Sequence, residues 1–155
     1  MKTTLTAIAL ATAFTQPATA ITFPSLTTIY VGTGVADSGG IYEVGHATVF
    51  QCSNVSGNTA QLRFLVLEFG GSLVGSQVVN VPHGSSTGVT THFTNFFSEN
   101  AEIAPGVVIF RGTVNIESTQ SGVFCQAYAT DAAVSVPNVV PLKLVRVNPH
   151  PGTVE

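Results

Sequence analysis

The segments ATVFQCS (Ala47–Ser53) and VFCQAYAT (Val123–Thr130) hold the only two cysteines of the 155-residue chain, Cys52 and Cys125. Both read with a period of two. Thr48, Phe50 and Cys52 share one face of the first run; Val123, Cys125, Ala127 and Ala129 share one face of the second. That period marks a strand buried on one side, because successive side chains of an extended backbone point to opposite faces. Outward from this pair, β-branched and aromatic runs recur between clusters of Gly, Ser, Asn and Pro. They are Leu26–Val35, Ile41–Ser53, Leu62–Phe69, Leu73–Val81, Val89–Thr94, Val107–Glu117, Val123–Thr130 and Val139–Val147. No window past the first twenty residues sustains the i, i+3, i+4 apolar pattern of a helix.

Details within the runs assign roles. Leu62–Phe69 (LRFLVLEF) is almost continuously apolar, which predicts a central strand covered on both faces. Gly70-Gly71 then turns it into Leu73–Val81 as a hairpin, stopped by Pro82. In Val107–Glu117, parity places Val108, Phe110, Val114 and Ile116 on the buried face. Pro141 sends the last run to a sheet edge. Seven to nine strands with turns at short intervals predict an all-β fold, a single antiparallel β-sandwich of immunoglobulin-like or other Greek-key type, with a jelly roll as the alternative. Cysteines on an early and a late strand would pin the two sheets together, as in immunoglobulin domains. Two features depart from that family: the chain has no tryptophan, and Val123 stands where the tyrosine of the tyrosine corner would be.

Residues 1–20 read as a cleaved signal peptide. Lys2 is the positive end, Leu5–Phe14 a short apolar stretch and Ala18-Thr19-Ala20 the cleavage site. Residues 21–147 then form one domain and 148–155, with two prolines, an irregular tail. Without Lys2 the chain keeps four basic and eight acidic side chains, a net charge of −4. Charged residues are 8% of the sequence against roughly 25% in average proteins. No basic stripe exists, which speaks against nucleic acid as a partner, and no later apolar run is long enough for a membrane helix. A surface so poor in charge opposes self-association weakly. Two cysteines in an exported chain most simply form one disulfide, worth about 4 kcal/mol in the chain-entropy account. Two unpaired buried thiols are the alternative. The expected location is outside the cytoplasm: periplasm, cell surface or medium.

Candidate chemistry is thin. Gly84-Ser85-Ser86-Thr87-Gly88 has the letters of a hydrolase nucleophile turn, but a Thr-rich strand follows where a helix is required, so Ser86 reads as part of a plain loop. His83 and His92 flank that loop and would approach across it, yet no H-x-H or H-x-x-x-H spacing exists and surface histidines are the simpler reading. Asn95–Pro105 carries Phe96 and Phe97 beside Glu99 and Glu102, either as a binding tip or as plugs at one end of the core. Asn54-Val55-Ser56 matches a glycosylation sequon that reads as coincidental, because the signal peptide has the brevity and single lysine expected of a bacterial one. No catalytic constellation, metal site or cofactor motif emerges.

The segments Ala47–Asn54, Arg63–Leu67, Asn115–Ala127, Asp131–Ala133 and Arg146–Gly152 together resemble a group of small secreted bacterial proteins of uncharacterised role. The resemblance implies export and paired cysteines, and carries over no activity or site. The expectation is a non-enzymatic secreted or cell-surface structural or binding module, with a protein or glycan partner. Phe96, Phe97, His83 and His92 are its candidate binding residues. The alternatives are a small secreted hydrolase using His83, His92 or Ser86, and a subunit of an extracellular assembly. The C-terminal Pro149-His150-Pro151-Gly152 departs from the aromatic terminal strand of donor-strand pilus subunits.

Overall fold

The computed structural model describes residues 25–136 and 138–147; the signal-like segment 1–20, residues 21–24 and the tail 148–155 lie outside the described residues. Ten strands and no helix occur in the described part. They are β1 (Thr27–Ser38), β2 (His46–Asn54), β3 (Ala60–Leu67), β4 (Leu73–Val81), β5 (Ser86–Thr90), β6 (Ala101–Glu102), β7 (Val108–Ser118), β8 (Val123–Asp131), β9 (Val140–Leu142) and β10 (Leu144–Arg146). One five-stranded sheet runs β10-β1-β7-β3-β4 and the other β6-β5-β2-β8-β9. All pairings are antiparallel except that of β5 with the two-residue β6.

The sheets share one core. Leu62, Phe64, Val114 and Ile116 of the first and Phe50, Cys52, Val89 and Val123 of the second belong to the same buried cluster. The rings of Phe50 and Phe64 meet with centroids 6.0 Å apart. Each fully buried side chain of this size contributes about 1.5–3 kcal/mol through removal from water. The arrangement is all-β with two sheets on one core, as a β-sandwich requires.

The two cysteines overturn one expectation. Cys52 and Cys125 are directly opposite each other in the β2–β8 ladder, with Cα atoms 4.1 Å apart and the sulfurs at bonding distance, 2.09 Å. The bridge joins neighbouring strands of one sheet; it does not pin the two sheets together. Strand parity explains why the sequence misleads here. Two cysteines that both face the core can belong to facing sheets or to neighbouring strands, and only the pairing register separates these cases.

Four other differences have physical causes. β3 is inside its sheet but covered on one face only: Ala60, Leu62, Phe64 and Val66 are buried, while Leu65 and Leu67 are half-buried on the outer side. Its continuous apolar run therefore overstates the covering. In β7, Ile109 points inward and Phe110 is 77% exposed, the reverse of the parity expected from Val114 and Ile116. The β1–β7 register shifts between Thr33 and Val35 and again between Val35 and Asp37, which resets the faces beyond Gly112. The run 139–147 divides at Lys143, so that β9 and β10 join different sheets, each as an edge strand. Finally, residues 39–45 form a loop and not the start of β2. Tyr42 in this loop holds a left-handed backbone (φ 61°), which a continuing strand forbids.

Candidate binding site at the loop end

β1 ends, β2 begins, β5 ends, β7 begins and β8 ends at one pole of the molecule, as the pairs His46–Asp131 and Ser38–Val108 show. Two connections meet there, residues 39–45 and 91–107. Backbone bonds tie both down: Gly106 N–H donates to the Gly40 carbonyl at 3.1 Å, Ala132 N–H to Gly45 at 2.6 Å, and Ile103 N–H to Thr90 at 2.8 Å. The Thr90 hydroxyl, with one hydrogen to donate, lies 3.0 Å from the Thr48 carbonyl and 2.8 Å from the His92 carbonyl.

Beneath these loops lies a buried ion pair. His92 Nδ1 is 2.7 Å from Asp37 Oδ2, and both side chains are fully inaccessible. Asp37 Oδ1 accepts the Gly39 N–H at 2.7 Å. Burial opposes a charged imidazole at His92. The hydrogen bond and the charge of Asp37 outweigh that burial, with smaller help from the Val44 carbonyl and Glu102, and the His92 pKa is raised. His92 Nε2 is buried and makes no hydrogen bond. Asp37 ends β1 in one sheet and His92 follows β5 in the other, so the pair links the sheets where the cysteines do not.

His92 is thus a core residue and not a surface histidine. His83 is exposed and sits before the start of β5, where its Nδ1 accepts the Gly57 N–H at 3.1 Å. The whole of β5 separates the two imidazoles, so they do not meet across a loop. The expected loop 83–88 is itself partly strand, since β5 begins at Ser86. The Ser86 hydroxyl lies 2.7 Å from that of Ser53, and the buried His92 is beyond the other end of β5. Ser86 and His92 therefore do not form a nucleophile–base pair. No group of three or more His, Cys, Asp or Glu suited to a metal occurs among the described residues. The amide nitrogen of Asn54 donates to the carbonyls of Asn58 and Val81 at 2.7 and 2.8 Å and is buried, closed to glycosylation.

Above the ion pair the surface is apolar and shaped. Ile41, Tyr42 and Val44 are 59%, 76% and 63% exposed on the first loop. On the second, Phe96 is 48% exposed and so is not a core plug, while Phe97 is half-buried; neither belongs to the core cluster. Their rings meet edge to face at 5.1 Å, and Phe97 lies nearly parallel to Tyr128 of β8 with centroids 6.1 Å apart. A cleft of about 230 Å³ opens between the loops, lined by Tyr42, Glu43, Phe93, Thr94, Asn95, Ser98 and Glu99. Glu99 accepts from the Thr94 hydroxyl and, at 3.3 Å, from the Thr94 N–H. Ser98, like Tyr42, has a left-handed backbone (φ 48°). Such conformations cost on the order of 1–3 kcal/mol and persist where surrounding contacts impose them.

Sequence reasoning finds Phe96, Phe97 and His92 but misses their partners Tyr128 and Asp37. Asp37 is 55 residues from His92 in the chain, inside what reads as turn chemistry (Asp37–Gly40). No local spacing connects them. Comparison with protein-family models, with curated proteins and with solved structures yields no match to this chain.

Proposed function

We propose that the protein is an exported, non-enzymatic β-sandwich of Greek-key type that binds a partner through the loop end formed by residues 39–45 and 93–100. One observation carries this reading. Large apolar side chains, Ile41, Tyr42, Val44 and Phe96, stand exposed around a cleft whose walls are held by internal hydrogen bonds. Exposed apolar groups on preformed loops supply binding energy with little ordering cost. The signal-like segment 1–20 and the paired cysteines support export, because disulfides persist in oxidising compartments. The in-sheet bridge weighs against immunoglobulin kinship and for another Greek key. A panel of glycans and of envelope and medium proteins, probed with purified protein, tests the site. Tyr42→Ala and Phe96→Ala lower affinity about tenfold or more, as central aromatic contacts do, whereas Val55→Ala, at the opposite pole, leaves it unchanged. Equal effects at both poles refute the assignment.

A second reading, a subunit of an assembly, is favoured by one edge. β6, β9 and β10 are two or three residues long, and Pro141 blunts β9. β4 is a nine-residue edge strand with no charge and no proline. Long uncharged edges pair with other chains. Light scattering across a concentration series is then expected to show association that Val78→Lys suppresses; a strict monomer at high concentration removes this reading.

A further inference from the structure

The fold sorts charge in a way the sequence conceals. Asp37, Glu43, Glu68, Glu99, Glu102 and Asp131 all lie at the ends of strands, or in the connections, of the loop pole. Glu117 is the one other acid among the described residues, and it pairs with Arg63 on the outer face of the first sheet. The bases are elsewhere or engaged. Arg111 lies over the Phe69 ring, Arg146 over Tyr30 and Phe124, and Lys143 between β9 and β10. Two of the polar acids are used internally, Asp37 by His92 and Gly39 and Glu102 by the Phe93 N–H at 2.9 Å. Of the other four, Asp131 accepts the Ala133 N–H at 3.0 Å and Glu68 lies in the β3–β4 turn, while Glu43 and Glu99 line the cleft together with the aromatic residues Tyr42 and Phe93.

Carboxylates and aromatic faces around one small cavity favour a cation on an apolar stem: the carboxylates attract the charge, and ring faces attract cations through their quadrupole. The chemistry of Glu99 narrows the choice. One oxygen is taken by the Thr94 hydroxyl and the other by the Thr94 N–H, so each keeps only part of its accepting capacity. A planar guanidinium is held most strongly by two free, parallel acceptors on one carboxylate edge, which Glu99 does not offer, whereas a compact ammonium is satisfied by single acceptors from different groups. We propose that the cleft between Tyr42 and Glu99 binds a primary alkylammonium group, the lysine side chain of a cationic polypeptide segment, with the exposed Ile41 and Val44 receiving the neighbouring apolar residues of that segment. This deepens the binding site assigned to the loop end and rests on it.

The test is an amide-resolved NMR titration of the purified protein with Nα-acetyl-lysine methylamide. The norleucine analogue serves as a neutral match for the stem, and the arginine analogue and a neutral tetrasaccharide as competitors. Lysine is expected to shift the amides of Tyr42, Phe93, Ser98 and Glu99 with a Kd on the order of 1–10 mM, typical of one exposed charge-assisted contact. Norleucine leaves them in place, and raising NaCl from about 50 to 500 mM weakens binding at least about threefold by screening. Glu43→Gln, on the exposed loop, weakens it about threefold without disturbing the spectrum of the core. Glu99→Gln does so more strongly but also loosens the Thr94 turn. Equal shifts from norleucine, or tighter binding of arginine, overturn the ammonium assignment. Shifts at these amides from the tetrasaccharide alone also overturn it while leaving the loop end as a binding site. Partner binding that survives Tyr42→Ala and Phe96→Ala, with no lysine shift, removes both.

Discussion

Replacement of His92 by leucine is expected to be the most damaging single change at the loop end, and the reason is electrostatic. In the native protein the Asp37 carboxylate is fully buried and answered by two groups, the His92 ring at 2.7 Å and the Gly39 N–H at 2.7 Å. Leucine fills a similar volume and removes the counter-charge. Breaking one partner of a buried pair costs about 3–5 kcal/mol, because the other charge stays behind without compensation. That is a large fraction of the 5–15 kcal/mol that holds a typical domain together. Asp37→Asn is milder, since a neutral imidazole needs no counter-charge; about 1–3 kcal/mol is expected from the weakened hydrogen bond. The same pair sets a pH dependence. The folded His92 pKa lies above the unfolded value of 6.5, so the folded state binds the proton more tightly. Its stabilisation is complete below pH 6.5 and is lost as pH rises through the folded pKa. Urea unfolding at a series of pH values from 5.5 upward, with the disulfide intact, measures both effects. The wild-type midpoint falls with rising pH, and the fall is absent in Asp37→Asn and His92→Leu. A wild-type midpoint that rises over this window, an unaltered slope in Asp37→Asn, or a His92→Leu cost under about 1 kcal/mol refutes the role given to the pair.

Three further outcomes follow from the packing. Gly40→Ala places a Cβ 1.9 Å from the Val44 carbonyl oxygen and 3.0 Å from His92 Nε2, whereas at Gly70 nothing lies within 4 Å. Thermal melts should show Gly40→Ala markedly destabilised, by about 2 kcal/mol or more, and Gly70→Ala within about 0.5 kcal/mol of wild type. The Cys52–Cys125 bridge closes a chain separation of 73 residues, so the double Cys→Ala protein is expected to lose about 4 kcal/mol in chemical unfolding. Maleimide labelling of native wild-type protein without reductant should be negligible; labelling at either cysteine contradicts the bridge. Phe64→Ala removes a ring with no exposed surface from between the sheets and is expected to cost about 3–5 kcal/mol by calorimetry or denaturant titration. A cost below about 1 kcal/mol contradicts the shared core.

Local pattern made the strands legible. Periodicity over Ala47–Ser53 and Val123–Thr130, turn residues at 37–40 and 70–71, and the proline at 141 all act within a few residues of themselves, and the strands lie close to where they point. What failed was parity across irregularities. The shifts opposite Val35 turned Phe110 outward, and no residue type in β7 announces a bulge that depends on its neighbour β1. The candidate site was half legible in the same sense. Phe96, Phe97 and His92 stand out by residue type, but whether an aromatic is a plug or a surface, and whether a histidine is a ligand or a buried partner, depends on what lies across from it.

The sequence by itself determined an all-β chain, one pair of cysteines with inward parity and a surface with little charge, because each is a property of composition or of neighbours along the backbone. The tertiary structure alone decided that Cys125 faces Cys52 within one sheet, that Asp37 reaches His92 between sheets, and that Glu43 and Glu99 share one cleft with Tyr42. These are contacts between residues far apart in sequence. Their register and topology are selected by the packing of the whole core, which no local pattern encodes.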